Sequence, residues 1–228
     1  YCDHSDVSHY YMERWPLGFY KDSAQTIWSA SYGGMIRIRH GQVDFIPLSD
    51  SGQSVFTQTA YRDRLGHIWS LGQFALEFDP VTGRSQSWHF PELAKHSIGV
   101  TGIAEGPADI YYVSSYNGLL TINKKNGKTG AIAFQSSLPD KEQWKSINAV
   151  ACIDSVVYIG GAPGLAAYDT RTGKVMTVAP GSNIRQVTIN GFFTDDQKNL
   201  WIYCSAGVFR YTPLTGELAQ FTSADGIY

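Results

Sequence analysis

Side chains able to carry acid–base or metal chemistry are few in this sequence and stand far apart. The histidines are spread along the chain: His4, His9, His40, His67, His89 and His96. None stands at a metal-ligand spacing such as His-Glu-x-x-His, and no Gly-x-Ser-x-Gly nucleophile turn occurs. Asp195 and Asp196 are adjacent carboxylates in a polar stretch between apolar runs, which favours a solvated turn. We expect no catalytic constellation, no metal and no cofactor.

The cysteines also indicate no chemistry. Cys2, Cys152 and Cys204 are too few and too scattered for a disulfide scaffold or a zinc site. Cys152 and Cys204 stand in apolar runs, which favours buried, inert thiols. Cys2 is a weak candidate for a lipid anchor because no apolar leader precedes it.

Charge and composition limit the classes of partner. The formal net charge is −2 and the pI is near 6.3, so we expect no nucleic acid and no acidic lipid as a partner. No run approaches the roughly 18 apolar residues of a membrane span. Either the protein is soluble as made, or targeting and anchoring segments lie outside this sequence. With 228 residues and 43% apolar residues, the chain can bury the core of a single all-β domain.

A pattern of an aromatic residue, a small polar loop, an apolar run and a Gly-containing turn occurs five times. We call the aromatic positions the repeat aromatics, and they are Trp28, Trp69, Tyr111, Tyr158 and Trp201. Their intervals are 41, 42, 47 and 43 residues. A period of this length is typical of repeat architectures and has room for four short strands.

The last unit shows the strands most clearly. Apolar or alternating runs at 187–194, 199–205, 208–212 and 217–222 predict four strands. Gly216 ends the turn before the fourth run, and the stretches 79–83, 123–127 and 169–173 have the same form. No segment has helical periodicity, and only 91–96 favours a single helical turn.

We therefore predict an all-β protein, a β-propeller of about five four-stranded antiparallel blades within one domain, 1–228. The expected repeat units are 10–46, 55–90, 98–134, 147–178 and 187–221. We expect the repeat aromatics to fill the wedge between neighbouring sheets. Five units could close on themselves, but the ends favour part of a larger propeller, for example a seven-bladed one.

In a propeller, the loops between second and third strands share one face with the links between blades, and function usually resides on such loops. Side chains there that can hydrogen-bond or stack on a sugar are Tyr32, Gln73, Tyr116 and Asn117. Arg185 and His96 enter the same face. The longest link, 135–146, contains Trp144, which is either a platform for a pyranose ring or a lid packed on the blade edge.

Residues 194–226 and 61–83 resemble the two-component regulator propeller repeat, and the likeness extends over about 15–226. Tyr203-Cys204 and Ser70-Leu71 depart from the Gly-Thr usual in that repeat. The resemblance implies the periplasmic sensor region of a Bacteroides-type hybrid histidine kinase that detects glycan-derived oligosaccharides. It also implies, as partners, other propeller and signalling domains of the same protein, and a homodimer in the full-length context.

Two other functions stay open. An enzyme of the streptogramin-lyase type requires a histidine and a metal-binding carboxylate that converge on the central loops, and His96 alone does not meet this requirement. A generic scaffold for protein interactions, as in WD40 propellers, is disfavoured because the Trp-Asp dipeptide is absent from every unit. We expect a binding module and not an enzyme.

Overall fold

The computed structural model describes residues 19–226 except for 23, 32, 52, 55–56, 94–98, 135–137, 139–143, 145 and 180–181. For 53–54, 57–60 and 186 only the backbone is described. The described residues form five four-stranded antiparallel sheets, each with its strands in chain order, and one two-stranded hairpin. The predicted all-β class is confirmed. Among these residues no helix has the length and apolarity needed to cross a membrane.

The chain divides into two compact units, of which the first contains sheets one and two. Sheet one consists of β1 (Phe19–Lys21), β2 (Ile27–Ser31), β3 (Gly34–Arg39) and β4 (Gln42–Pro47). The hairpin β5 (Ser49–Asp50) and β6 (Gln53–Ser54) follows it. Sheet two consists of β7 (Thr57–Arg62), β8 (Ile68–Gly72), β9 (Ala75–Phe78) and β10 (Ser85–Trp88).

The second unit contains sheets three to five. Sheet three consists of β11 (Val100–Glu105), β12 (Ile110–Ser115), β13 (Gly118–Asn123) and β14 (Lys128–Ile132). Sheet four consists of β15 (Ile147–Ile153), β16 (Val156–Gly161), β17 (Gly164–Asp169) and β18 (Val175–Thr177). Sheet five consists of β19 (Ile189–Thr194), β20 (Leu200–Cys204), β21 (Gly207–Thr212) and β22 (Glu217–Phe221). Single turns of 3₁₀ helix occur at Pro91–Leu93, Pro107–Asp109, Asn183–Gln186 and Ser223–Asp225.

The turn between third and fourth strands has the predicted chemistry in four sheets. In each, a glycine in the left-handed region donates its N–H to the carbonyl of the residue four positions earlier. The glycines are Gly83, Gly127, Gly173 and Gly216, with φ of 72°, 69°, 70° and 75°.

The turn between first and second strands repeats as well. In four sheets the first residue of a five-residue turn donates its N–H to the carbonyl of the fifth, in the pairs Asp22–Thr26, Asp63–His67, Gly106–Ile110 and Asp195–Asn199. The fourth turn residue has positive φ, and these residues are Gln25, Gly66, Asp109 and Lys198. Glycine occupies that position only once, so glycine does not mark this turn; what three of the four turns share is the opening aspartate.

This turn corrects one predicted repeat aromatic. In sheets one, two and five, Trp28, Trp69 and Trp201 stand six residues after the Asp that opens the turn. In sheet three the residue six positions after Gly106 is Tyr112, so Tyr112 and not Tyr111 is the equivalent. Both tyrosines are buried, but neighbouring residues of a strand point to opposite faces. We call Trp28, Trp69, Tyr112, Tyr158 and Trp201 the anchor rings.

Three of the anchor rings, Trp28, Tyr112 and Tyr158, pack between neighbouring sheets of one unit, as expected. In the first unit Trp28 belongs to one apolar cluster with Met35 of sheet one and Ile68 and Phe78 of sheet two. In the second unit Tyr112 packs with residues of sheet four, and Tyr158 packs with residues of sheet five. Burial of each such ring contributes roughly 2–3 kcal/mol to the free energy of unfolding.

Candidate functional site

In each unit the turns between second and third strands lie at the same end of the sheets as the links between sheets. We call this end the loop end. In the first unit Leu48 of a link donates its N–H to the carbonyl of Gly33, at 2.9 Å. In the second unit Asn117 donates its Nδ2–H to the carbonyl of Glu92, at 3.0 Å. Gly164 lies so close to another link that an added Cβ would be 2.5 Å from the Ile184 carbonyl oxygen.

The loop end of the second unit presents three of the predicted site residues. Tyr116 is 49% exposed, and the adjacent Asn117 is held by its hydrogen bond to the 91–93 link. Arg185 is exposed in the 3₁₀ turn that lies against Gly164. An aromatic ring, an amide and a guanidinium therefore lie exposed at this end.

The remaining predicted loop residues divide between the first unit and the undescribed part of the chain. Gln73 is exposed in the turn that joins β8 to β9, in the first unit. Tyr32 and His96 lie outside the described residues. Their assignment to a binding site stays a prediction.

Trp144 is the packed lid and not the exposed platform. Its side chain is 2% exposed, and its ring meets Phe134 edge-on at 6.1 Å between centroids. Leu138 belongs to the same buried cluster, so the long link supplies its own apolar cover for Trp144. Burial of a ring of this size outweighs its exposure on a polar loop. Stacking of a sugar on Trp144 is therefore wrong as a prediction for this structure.

The sequence also missed a small cluster at the loop end of the first unit. The rings of Phe74 and His89 lie 4.8 Å apart between centroids, and His89 Nε2 is 3.1 Å from Asp50 Oδ2. Asp50 belongs to the β5–β6 hairpin, which lies in the link between sheets one and two. No motif marked this contact, because its members stand 15 to 39 residues apart along the chain.

At the end of the sheets opposite to the loop end, carboxylates hold three of the anchor rings. Asp22, Asp63 and Asp195 accept the indole N–H of Trp28, Trp69 and Trp201, at 3.1, 3.0 and 2.8 Å. The other oxygen of each carboxylate accepts backbone N–H groups of the same turn. Asp195 is thus a turn residue, as predicted, and it also positions a ring.

These hydrogen bonds perturb the acidity of the turn carboxylates. Burial raises the pKa of Asp195, but hydrogen bonds from Asn199 and Trp201 outweigh it, so the net pKa lies below the ordinary value. The same balance, with bonds from Thr26 and Trp28, lowers the pKa of Asp22. A charged carboxylate is therefore the form that the fold prefers at both turns.

Among the described residues, Asp63, His67 and Glu77 offer metal-ligand atoms within 4.8 Å of one another. His67 Nδ1 lies 2.5 Å from Glu77 Oε1, and Glu77 Oε2 accepts the indole N–H of Trp88 at 3.2 Å. Both carboxylates are buried and already accept hydrogen bonds. The cluster links residues of sheet two by hydrogen bonds at the end opposite to the loop end. The predicted absence of a metal stays a prediction.

Comparison with known proteins identifies the fold. No protein-family model and no curated protein sequence matches this chain. The extracellular domain of the hybrid two component system BT4673 from B. thetaiotaomicron is similar in structure, with TM-score 0.69 and 18% identity. The extracellular domain of BT3049 from the same organism has TM-score 0.66 and 18% identity. Virginiamycin B lyase from Staphylococcus aureus has TM-score 0.69 and 15% identity.

The coverage of these matches is uneven. The chain is covered to 92%, 90% and 91%, but it spans 28%, 29% and 69% of the three structures. It therefore corresponds to less than a third of the two extracellular domains. With five four-stranded antiparallel sheets in sequential order, the chain has the β-propeller fold.

Proposed function

We propose that this chain is a ligand-sensing propeller segment of an extracytoplasmic two-component receptor, and that it binds a glycan-derived oligosaccharide at the loop end. The observation that carries the proposal is Tyr116, half exposed beside an asparagine that a neighbouring link holds in place. The fold shared with the two B. thetaiotaomicron extracellular domains supports the sensor role.

The chemistry of the loop end suits a sugar. A pyranose ring presents apolar C–H groups on its faces and hydroxyls at its edge. The Tyr116 ring can stack on such a face, while the Asn117 amide and the Arg185 guanidinium can bond hydroxyl or carboxylate groups. Because Asn117 is fixed by Glu92, little side-chain entropy is lost when a ligand binds.

Sensing requires that ligand binding alters the contacts of this segment with the rest of a receptor. We place the segment in the periplasm, with other propeller and signalling domains of the same protein as partners, in a receptor that forms a homodimer. The ligand must bind two receptor states with different affinity, and coupling energies of about 1–3 kcal/mol are typical.

The proposal is tested by thermal shift with a panel of short neutral and uronic-acid-containing oligosaccharides. A sugar at about 100 times its Kd should raise the free energy of unfolding by about 2.7 kcal/mol. Tyr116→Ala should abolish the shift, whereas Leu214→Ala, at an exposed third-to-fourth strand turn, should retain it. A sugar whose shift survives Tyr116→Ala would place the site elsewhere, and a panel without any shift would contradict glycan binding.

A lyase is the second candidate, because virginiamycin B lyase has the same fold and Asp63, His67 and Glu77 cluster within ligand distance. We favour binding over catalysis because this cluster is hydrogen-bonded within sheet two, away from the exposed loops. Elemental analysis of the purified protein should find no stoichiometric metal. A bound metal that Glu77→Gln removes would favour the enzyme instead.

A further inference from the structure

The anchor face of sheet five, meaning the face that carries Trp201, is an apolar surface that no other described sheet of the second unit covers; there Trp201 stacks only on Phe221 of its own sheet, at 5.5 Å between centroids. Phe193 and Tyr203 lie on this face and are 67% and 62% exposed. Trp201 itself is only partly buried, whereas each of the other four anchor rings is at most 4% exposed. The opposite face of sheet five is buried against sheet four through Leu200, Ile202 and Phe209.

Three of the other four anchor rings are covered in a repeated manner by the next sheet of the chain. The ring meets an aromatic residue on the third strand of that sheet, opposite the residue that precedes the sheet's own anchor ring. The pairs are Trp28–Phe78, Tyr112–Tyr168 and Tyr158–Tyr211, at 6.1, 6.4 and 5.8 Å with interplanar angles of 53°, 57° and 62°. A recurring geometry of this kind defines what a neighbour of Trp201 must present.

A buried polar atom on the anchor face of sheet five also lacks a partner. Arg210 lies over the Trp201 ring at 5.8 Å, as Arg37 lies over Trp28 at 5.9 Å in sheet one. Arg37 donates to Asp44 on the next strand, but Ala219 occupies the position of Asp44 in sheet five. Among the described residues, Nε of Arg210 has no hydrogen-bond acceptor. A covering group must therefore supply an oxygen.

The opposite face of sheet five, which packs on sheet four, does not have the shape to cover an anchor face that carries Tyr203. On sheet four, Gly160 holds the position of Tyr203, and a Cβ there would lie 2.5 Å from Ile189 and 2.7 Å from Phe192. A tyrosine at that position would collide with the same two side chains. The partner must therefore present smaller residues opposite Tyr203.

We propose that this anchor face docks a further four-stranded sheet of the same repeat type, contributed by the same polypeptide. Its third strand places an aromatic ring against Trp201, and it supplies an oxygen acceptor to Arg210. The same polypeptide is the source because all three described interfaces join consecutive sheets of one chain. The docking surface does not depend on the proposed sugar binding.

Hydroxyl-radical footprinting of the longest polypeptide encoded by the gene, alongside the 228-residue chain, tests this proposal. Oxidation of Phe193 and Tyr203 should fall several-fold in the longer polypeptide, whereas Tyr116, at the loop end, should be oxidised equally in both. The protecting sequence should contain an aromatic residue 9 or 10 residues after its own anchor ring, the interval that separates Phe78, Tyr168 and Tyr211 from theirs.

Unchanged oxidation of Phe193 and Tyr203 in the longest polypeptide would overturn the proposal. It would equally be overturned if the 228-residue chain alone protected both residues as its concentration rose, in step with a doubled sedimentation mass. That result would make a second copy the occupant. Tyr203→Glu, which places a charge on the face, should then restore the monomer.

Discussion

At the scale of single residues, the Asp–indole pair is the contact that repeats. Trp28 and Trp69 are buried and Trp201 is partly buried, and an aspartate six residues earlier accepts the indole N–H of each. In sheet three the tyrosine Tyr112 replaces the tryptophan, and Gly106 replaces the aspartate. The ring occupies the space of the missing side chain, since a Cβ on Gly106 would lie 2.4 Å from it.

Removal of one such carboxylate should be costly where the ring is fully buried. Asp63→Ala leaves the Trp69 indole N–H without its acceptor and should lower the free energy of unfolding by about 1–3 kcal/mol. Asp196→Ala, an exposed carboxylate in another first-to-second strand turn, should change it by less than about 0.5 kcal/mol. Urea denaturation of both variants measures the difference, and equal effects would show that the pair does not stabilise the sheet.

The lowered pKa values of Asp22 and Asp195 predict an acid-sensitive fold. The folded state binds protons less readily than the unfolded chain, so this stabilisation is full above the ordinary pKa of 3.8 and is lost as the pH falls through the lower folded value. The melting temperature should therefore fall as the pH drops below 3.8, the ordinary pKa of an aspartate. Asp195→Asn should flatten the drop relative to wild type; an unaltered pH profile would exclude Asp195 as a contributor.

At the scale of elements, strands and glycine turns were predictable because they depend on local chemistry. The four predicted strands of the last unit correspond to Ile189–Thr194, Leu200–Cys204, Gly207–Thr212 and Glu217–Phe221. Gly83 and Gly173 adopt the expected left-handed conformation. The β5–β6 hairpin, which pairs residues within one link, was not predicted from the sequence. For Trp144 the sequence left the platform and the lid both open, because the choice depends on its contact with Phe134 outside the link.

For the candidate site, the sequence predicted which loops carry the residues but not the contacts that hold them. Sequence placed Tyr116, Asn117 and Arg185 in the correct kind of segment, since polar stretches between strands lie on the surface. It could not reveal that Glu92 fixes Asn117, because the two stand 25 residues apart. The one-residue shift from Tyr111 to Tyr112 was likewise hidden, because both residues are tyrosine and both are buried.

The close packing of a ring against Gly106 gives a direct test of how sheet three is built. Gly106→Ala places a methyl group within 2.4 Å of the Tyr112 ring and should cost about 1–3 kcal/mol in the free energy of unfolding. Gly191→Ala, where no atom lies within 4 Å of the added Cβ, is the matched control and should be nearly neutral. Thermal melts of the two variants compare them, and a neutral Gly106→Ala would mean that Tyr112 lies elsewhere.

For the molecule as a whole, each repeated sheet has two different ends. At one end the turns hold the anchor rings, and at the other the exposed loops can bind a ligand. Within each unit the carboxylate–indole turns lie at one end, and the turns and links of the loop end lie at the other. This separation allows the loop residues to vary without loss of the anchor contacts. It is the arrangement expected of a scaffold that presents a ligand site on its loops.

Hydroxyl-radical footprinting with and without an oligosaccharide that shifts the melting temperature tests sugar binding at the loop end. Tyr116 should be oxidised readily in the free chain and be protected when the sugar is present, while Trp69, Tyr112 and Tyr158 should stay unreactive in both states. Oxidation of these buried rings in the free chain, or a Tyr116 that the sugar leaves as reactive as before, would contradict it.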